Sequence, residues 1–247
     1  MRLKCIGCEV LARPIYLAAA RSPHIVDVEI LRRGLHDTPP QLRAQLQGAI
    51  DALGPHDAVV LAYGLCGAAT AGLVARDRPV VIPRAHDCIT LLLGSRDRYR
   101  EQFEAHPGTF WYAQDYIERE SDADPLIGLG SVDDPTVRAS HEDLVAKYGQ
   151  ENADYLMEVM GAWKERYDRA TFIDVGVSDS AAVESRARAD AERRGWTFER
   201  LAGDTVLIRR LLFGDWADEF LVLQPGERLE QSYDEGVVCA FAGPRTG

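Results

Sequence analysis

Three cysteines in the first 88 residues each follow a strand-like segment of the sequence. Cys8 lies in CIGCE, Cys66 in YGLCG and Cys88 in PRAHDC. Thiolates are good ligands for zinc and for iron–sulfur clusters, and three of them leave one coordination position free, as a reactive metal site requires. The sequence therefore predicts a zinc or iron–sulfur site on these three cysteines. Cys5 and His86 are candidates for a further ligand.

A structural interpretation also exists for every cysteine of the chain. Cysteine is often buried as a small hydrophobic residue. Alternate residues of a strand face opposite ways, so the spacing of Cys5 and Cys8 is weak evidence for a shared metal. Five cysteines in 247 residues form an odd set, too sparse for a disulfide scaffold. In a reducing cytoplasm their placement indicates metal or thiol chemistry, with Cys239 outside the group.

Polar residues beside these cysteines are candidates for catalysis. Glu9 follows Cys8, and His86 and Asp87 directly precede Cys88. A histidine beside a thiol can act as a base or as a metal ligand. Asp87 has a structural alternative as the N-cap of the helix that follows it.

Four further residues are candidates for binding a cofactor or substrate. Gly64 belongs to a turn that resembles a phosphate-binding loop, although a tight strand-to-helix turn explains its glycines better. Arg84 and Ser95, on either side of a predicted helix start, suit a small anionic ligand. Trp216, in GDWADEF, is interpreted either as a lid or wall over the ligand or as a side chain that closes the core.

The elements that position these residues alternate between strands and helices. This pattern predicts a Rossmann-like three-layer α/β/α fold with a largely parallel sheet and a second, smaller α/β portion. Ligands of such sheets bind beyond the carboxyl ends of the strands, so the three cysteine loops are expected to meet at one edge. The predicted strands are Leu3–Cys8, Val26–Leu31, Ala58–Tyr63, Val80–Pro83, Phe172–Val177, Thr197–Leu201 and, as the last, Phe220–Gln224. The predicted helices are Leu11–Ala20, Pro39–Leu53, the segment GAATAGLVA, Cys88–Phe103, His141–Tyr167, Ala181–Arg194 and Thr205–Phe213.

The domain organisation follows from a change in composition near the middle of the chain. Residues 119–140 are rich in Asp, Gly, Pro and Ser and show no period, which indicates a connection or a long surface loop. We therefore predict an α/β lobe over residues 1–118 that carries the cysteine motifs, a connecting loop over 119–140, and a second α/β lobe with a C-terminal tail over 141–247.

Composition excludes several classes of protein. The formal net charge of −11 argues against a nucleic-acid binder, which normally carries a basic face. Apolar runs stay well short of the roughly 20 residues that a membrane helix needs. The first residues, MRLKCIGCEV, have the pattern of a strand and not of a secretory leader. We expect a cytoplasmic protein that binds neither nucleic acid nor membrane.

Taken together, the motifs resemble one known family. The ordered set CEV, LHDTP, PPQLRAQLQGAID, YGLCG, PRAHDCITLLLGS, PGTFW and DWADEFLVLQPG, from about Cys8 to Gly226, is similar to the bacterial and archaeal family called "domain of unknown function 1638". Its pattern falls here on Cys8, Glu9, Tyr63, Gly64, Cys66, Arg84, His86, Asp87, Cys88, Gly94 and Ser95. Cys5 is not part of that pattern, which leaves the three-thiolate interpretation intact.

The resemblance implies a pathway but supplies no established reaction. It implies an association with methylamine-type and corrinoid-dependent methyl transfer, and so with one-carbon metabolism. Because the sequence has no DxHxxG-type corrinoid signature, the implied partner is a separate corrinoid or methyltransferase protein.

The residues are compatible with three functions. The first is a metal-site protein that binds or transforms a small metabolite, as an accessory protein or a metal-dependent lyase or transferase. The second is a metal-free module for a small anionic metabolite or cofactor. The third is a thiol enzyme with one nucleophilic cysteine.

Overall fold

The computed structural model describes residues 1–35, 38–119, 150, 167–234 and 236–242. Most of the predicted connecting loop and of the predicted helix His141–Tyr167 lies outside these residues. The chain forms two compact units: the first consists of Met1–Tyr99 together with Gly203–Gly247, and the second of Arg100–Ala202.

The elements of the described residues are named in chain order. The strands are β1 (Arg2–Cys8), β2 (Ile25–Leu31), β3 (Ala58–Ala62), β4 (Val80–Pro83), β5 (Thr109–Ala113), β6 (Arg169–Asp174), β7 (Thr197–Ala202), β8 (Phe220–Leu223), β9 (Glu227–Gln231) and β10 (Val238–Ala242). The helices are α1 (Ala12–Arg21), α2 (Pro39–Asp51), α3 (Cys88–Leu93), α4 (Arg96–Ala105), α5 (Gln114–Glu118), α6 (Ala181–Arg194) and α7 (Val206–Phe213), with a 3-10 turn at Glu9–Leu11.

The first unit is built on a mostly parallel sheet. Its strands lie in the order β2-β1-β3-β4-β8, with β1 to β4 parallel and β8 antiparallel to β4. The strands β3 and β4 are apolar and buried at every position, as expected of central strands covered on both faces. The predicted α/β class with a largely parallel sheet is confirmed.

Helices cover this sheet through apolar stripes. Leu42, Leu46 and Ile50, spaced four residues apart, are the buried residues of α2, and prolines occupy its first turn, where a missing N–H costs nothing. The helix α7 buries its apolar side chains and contacts α1, β3 and β4.

The second unit carries a smaller parallel sheet in the order β5-β6-β7. Its core joins Phe110, Tyr112 and Phe172 of the sheet to the buried face of α6, with Trp196 packed against the same cluster. The bounds predicted for α6 agree with the structure because this segment has both a clear helical period and a glycine at its end, Gly195, in the left-handed conformation.

The predicted helix over GAATAGLVA is wrong. Residues 66–72 form successive turns. Cys66, Gly67, Ala68 and Gly72 all have positive φ angles, and this conformation is incompatible with a right-handed helix. Their small side chains, which favoured close helix packing, instead allow a compact turn.

The predicted helix Cys88–Phe103 is two helices in the structure. Gly94 ends α3 with a φ of 74°, which glycine adopts without steric cost. Ser95 directly precedes α4, and its hydroxyl accepts a hydrogen bond from the amide of Arg98 at 3.3 Å. The break separates Cys88 from the charged helix that follows.

The C-terminal part of the chain returns to the first unit, so the two compact units differ from the predicted domains. The strand β8 pairs with β4, joining residues Phe220–Leu223 to the sheet of the cysteine motifs. It is not the last strand, because β9 and β10 form an antiparallel pair after it.

None of the helices in the described residues is long and apolar enough to cross a membrane.

Candidate functional site

Two of the three cysteine loops are joined backbone to backbone. The amide of Leu65 donates to the carbonyl of Ala85, and that of Cys66 donates to the carbonyl of His86, both at 2.8 Å. These bonds extend the pairing of β3 and β4 beyond their carboxyl ends. The loop YGLCG is thereby held beside the loop PRAHDC.

Gly64 makes this close approach possible. A Cβ atom at this position would stand 2.6 Å from the backbone nitrogen and 2.8 Å from the Cα of Asp87. Contacts this short do not occur between real atoms, so any side chain would push the two loops apart. The glycine therefore serves backbone packing in a tight turn, which is the interpretation that the sequence favours over a phosphate-binding loop.

Cys66 lies in a conformationally strained turn. Cys66, Gly67 and Ala68 have φ angles of 48°, 60° and 66°, a region that costs energy for residues with a side chain. Arg43 of α2 donates from Nη2 to the carbonyl of Ala68 at 2.9 Å. Thr70 donates from Oγ1 to the carbonyl of Gly64 at 3.2 Å. These bonds hold the strained turn from both ends.

One face of α2 continues this support along the chain. Gln47, one helical turn after Arg43, donates to the carbonyl of Val74 at 3.2 Å and accepts from its amide at 2.9 Å. Asp51, a further turn on, pairs with Arg76 at 2.8 Å. Arg43, Gln47 and Asp51 are spaced four residues apart and so share one face of α2. Through this face the helix binds the segment that follows β3.

The three predicted ligands lie near one another. Cys8 is buried, whereas Cys66 and Cys88 are half-buried. Burial raises the pKa of each thiol, to about 11 for Cys8. The proximity of Cys8 further raises the pKa of Cys66, and Asp87, Cys8 and Cys66 do the same for Cys88. The expectation that the loops meet at one edge of the sheet agrees with this arrangement.

The thiols are not positioned as a formed metal site. Within the residues that the structure describes, no group of three or more His, Cys, Asp or Glu side chains is arranged, as it stands, to hold a metal ion. A metal would therefore require a rearrangement of these side chains or of the loops that carry them.

A family profile matches this chain over residues 30–212, and its description reads "Protein of unknown function (DUF1638)". The chain belongs to the DUF1638 family. The matched region contains Cys66 and Cys88 and leaves Cys8 and Trp216 outside it, so it is shorter than the resemblance expected from sequence. No curated protein and no solved structure matches the chain significantly.

The other cysteines of this DUF1638 chain differ in position. Cys5 lies inside β1 and is completely buried, which raises its pKa to about 12. Cys239 lies on β10 and is exposed. Cys5 faces β-branched neighbours, pairing in register with Val28 and Val60, which is the environment of a core residue.

Tyr63 is a site residue to which sequence reasoning gives no role. It follows β3 directly and is buried. Burial raises its pKa far above the ordinary value, and Cys8, Cys66 and Cys88 raise it further. Tyr63 therefore lies beside the thiols. Its place in the family pattern is the available signal, because a buried aromatic residue at a strand end otherwise indicates only a core position.

Asp87 is held by hydrogen bonds beside Cys88. Its Oδ1 accepts from the amide of Thr90 at 3.2 Å, as the N-cap of α3, and its Oδ2 accepts from the hydroxyl of Tyr99 at 3.3 Å. Burial raises its pKa, although these bonds and His86 oppose the shift. His86 is exposed, with its ring centroid 6.2 Å from that of Tyr99. The candidate catalytic pair is thus one fixed carboxyl group and one accessible imidazole.

Glu9 and Arg84 both bind backbone groups. The Glu9 carboxylate accepts from the amide of Arg33 at 3.1 Å, which joins the ends of β1 and β2. Arg84 donates from Nη1 to the carbonyls of Gly236 and Val238, at 3.1 and 2.6 Å. Arg84 therefore anchors the C-terminal strand pair to the loop that carries Cys88.

Ser95 and Trp216 have structural partners as well. The Ser95 hydroxyl caps α4. The indole of Trp216 donates to the carbonyl of Leu211 at 2.8 Å, at the end of α7. Gly214, two residues earlier, packs against His24 and Met1, which lies at the opposite end of β1 from Cys8. The role of Trp216 as a lid stays a prediction.

Proposed function

We propose that Cys8, Cys66 and Cys88 bind a thiophilic metal ion or cluster, zinc or iron–sulfur, at which a small metabolite is bound or transformed. The observation that carries the proposal is that three separate loops, at the carboxyl ends of neighbouring parallel strands, carry these thiols near one another. Open α/β sheets bind their ligands at this edge.

The chemistry of the donor set fits a soft cation. Cys8 raises the pKa of Cys66, and both raise the pKa of Cys88, so these thiols repel each other once they are ionised. A bound zinc or iron centre removes that repulsion because it takes the thiolates as ligands and displaces their protons. The strained turn at Cys66 supports the same proposal, since strain of this kind concentrates at functional sites.

Binding requires a limited rearrangement. The thiols do not converge on one point as they stand, and rotation between staggered positions about the Cα–Cβ bond moves each sulfur without moving the backbone. Cys66 and Cys88 are half-buried, so each is partly accessible to a metal ion from solvent. The backbone bonds between their loops stay in place.

Side chains around the thiols have distinct parts in the proposal. A metal with three protein ligands would supply Lewis acidity at its remaining position. His86, exposed beside Cys88, accepts a proton from a bound substrate or orients it. Tyr99 and Thr90 hold Asp87 through hydrogen bonds, and Tyr63 lies buried beside the thiols. The reaction type that suits these groups is that of a metal-dependent lyase or transferase.

The two other functions fit less well. A nucleophilic cysteine needs a lowered pKa, whereas burial raises the pKa of each of these three thiols. A metal-free anion site would use Arg84 and Ser95, which bind backbone groups instead. A corrinoid or methyltransferase protein as partner, and a cytoplasmic location, rest on the family resemblance and on composition, and stay predictions.

Anaerobic purification followed by metal analysis tests the proposal. We expect about one zinc or one iron–sulfur cluster per chain, with visible absorbance that distinguishes the cluster. Cys88→Ser should lose most of the metal, because a hydroxyl replaces a thiolate poorly. Cys239→Ser, on an exposed strand, is the matched control and should retain it. Equal metal content in both variants would contradict the proposal.

A further inference from the structure

A concave surface lies on the first unit, beside strands β1 and β2. It is a groove of about 430 Å³ between the C-terminal half of α2 and the strands β1 and β2. Grooves of this volume accommodate small molecules. The groove is lined by Lys4, Glu29, Leu31, Gln45, Gly48, Ala49, Ala52, Leu53, Gly54 and His56. Lys4 precedes Cys8 by four residues, about 13 Å of strand, whereas Leu31 is the in-register neighbour of Cys8. The groove therefore runs along the strands, with Lys4 and His56 at the end remote from Cys8.

The helix side of the groove carries almost no side-chain volume. Gly48, Ala49 and Ala52 line it in place of larger residues. A Cβ atom at Gly48 would meet nothing within 4 Å. Glycine inside a helix costs about 0.5–1 kcal/mol relative to alanine, and here no packing neighbour among the described residues requires it. A ligand that approaches the helix backbone would explain the open space.

His56 contributes an acceptor atom that lacks a partner. Its side chain is only 10% exposed, and its Nε2 lies 2.8 Å from Oδ2 of Asp27, which also accepts from Arg2 at 2.7 Å. Because a carboxylate accepts hydrogen bonds, we assign the imidazole proton to Nε2. In the neutral ring Nδ1 is then an acceptor, and it is buried with no hydrogen-bond partner among the described residues. Gly54, which also lines the groove, is its neighbour.

The charges that face the groove compensate each other. Lys4 pairs with Glu29 at 2.7 Å, and Glu29 is 40% exposed. Among the described residues that line the groove, an anion would find no uncompensated cation and a cation no uncompensated carboxylate. The available groups are a donor on Lys4, acceptors on Glu29 and His56, and the amide of Gln45, which both donates and accepts.

From this set of groups we propose that the groove binds an uncharged molecule rich in hydroxyl groups, either a free sugar or the ribose of a nucleoside. Hydroxyls donate and accept, so one molecule satisfies His56 Nδ1 and the Glu29 carboxylate while it accepts from Lys4. The proposal does not depend on the thiol site. The proposal requires that the ligand form a hydrogen bond with His56 Nδ1, because leaving a buried acceptor unsatisfied costs about 1–3 kcal/mol.

Nitrogen-detected histidine NMR on the full chain tests the proposal. The probes are adenosine, uridine, D-ribose and D-glucose, with inorganic phosphate as a charged comparison. We expect a saturable shift of the His56 Nδ1 resonance with at least one hydroxyl-rich probe and no shift with phosphate. A response to the nucleosides alone indicates a nucleoside, and a response to ribose or glucose indicates a free sugar.

Two variants of α2 provide the control. Gly48→Leu fills the open side of the groove without touching His56, and should abolish the shift while thermal stability is kept or raised. Ala44→Leu, one turn earlier on the same helix and outside the lining, should leave binding intact. The proposal is overturned if no hydroxyl-rich probe shifts Nδ1, if phosphate shifts it, or if Gly48→Leu binds as tightly as the wild type.

Discussion

The two units bury polar groups in opposite ways. In the second unit, Asp190 is buried but accepts from the Tyr112 hydroxyl at 2.5 Å and pairs with Arg193 and Arg194 at 2.5 and 2.8 Å. In the first unit, the groups around Cys88 that raise its pKa are other potential anions, among them Asp87 and Cys66. The Asp190 cluster contains its own counter-charges, whereas every charged group that shifts the pKa of Cys88 is a potential anion.

This difference separates a structural polar cluster from a candidate binding site. A buried carboxylate with two arginines and a phenol is satisfied by the protein itself. Acidic groups that converge are stable only while they keep their protons or when a cation joins them. Substitutions in the first kind of cluster should therefore cost stability, whereas those around the thiols should mainly change packing, proton binding and reactivity.

The largest effect is expected in the second unit. Asp190→Ala removes the shared acceptor of a buried network and should lower the free energy of unfolding by about 3 kcal/mol. Urea unfolding measures the change. Glu184→Gln, in a more exposed pair with Arg188, is the control and should cost less than about 1 kcal/mol. Similar losses in both variants would contradict the account of Asp190.

The next effect concerns the packing of the cysteine loops. Gly64→Ala places a Cβ atom against the backbone of Asp87 and should lower the free energy of unfolding by about 2 kcal/mol, as overpacked sites do. Thermal melts measure it. Gly48→Ala, where the added methyl group meets open space, should instead raise stability by about 0.5–1 kcal/mol. If Gly64→Ala melts like the wild type, the backbone contact is not tight.

A smaller effect is expected in alkaline solution. Burial raises the pKa of Cys5 from 9.0 to about 12, so the native state holds this proton more tightly than the unfolded chain does. The contribution is complete below pH 9 and is lost as the pH rises from 9 towards 12, by about 1 kcal/mol at pH 10. Unfolding between pH 8 and 10 should show this decline, and Cys5→Ala should make it shallower by that amount, leaving the part that comes from the other thiols with raised pKa. A stability that rises over this range would contradict the predicted sign.

The smallest change in stability is expected for Arg43→Ala. Loss of one hydrogen bond to Ala68 should cost about 1 kcal/mol yet loosen the turn at Cys66, so alkylation of Cys66 should become several-fold faster. Gln47→Ala, which loosens the chain farther along at Val74, is the comparison and should leave that rate near the wild-type value. Mass spectrometry of the alkylated peptide measures both rates.

Elements that local pattern determines were predictable from the sequence. The central strands of the first unit are apolar runs, and α2 and α6 have a helical period with proline or glycine at the expected end, so their bounds agree with the structure within a few residues. The proximity of the loops that carry Cys8, Cys66 and Cys88 was predictable because parallel strands end at the same edge of a sheet.

Features that depend on distant partners could not be predicted. Arg84 binds carbonyls of residues more than 150 positions later in the chain. The strand β8, from the C-terminal part of the sequence, pairs with β4 at the edge of the sheet. Cys66 and Ala68 have positive φ angles, and Arg43 and Thr70 hold their turn through hydrogen bonds. Cysteine and alanine rarely adopt this conformation, so the local sequence does not predict it. From the sequence, Tyr63 has only a place in the family pattern, and its position beside the thiols is visible only in the structure.

X-ray absorption at the metal edge of the anaerobically purified protein tests the central claim most directly, because it counts the sulfur atoms bound to the metal. We predict about three protein sulfur neighbours at about 2.3 Å for zinc, or the sulfide-rich shell of a cluster, with Cys8→Ser, Cys66→Ser and Cys88→Ser each removing sulfur from that shell. A metal surrounded only by nitrogen and oxygen, or a sulfur shell that these substitutions leave unchanged, would contradict the claim.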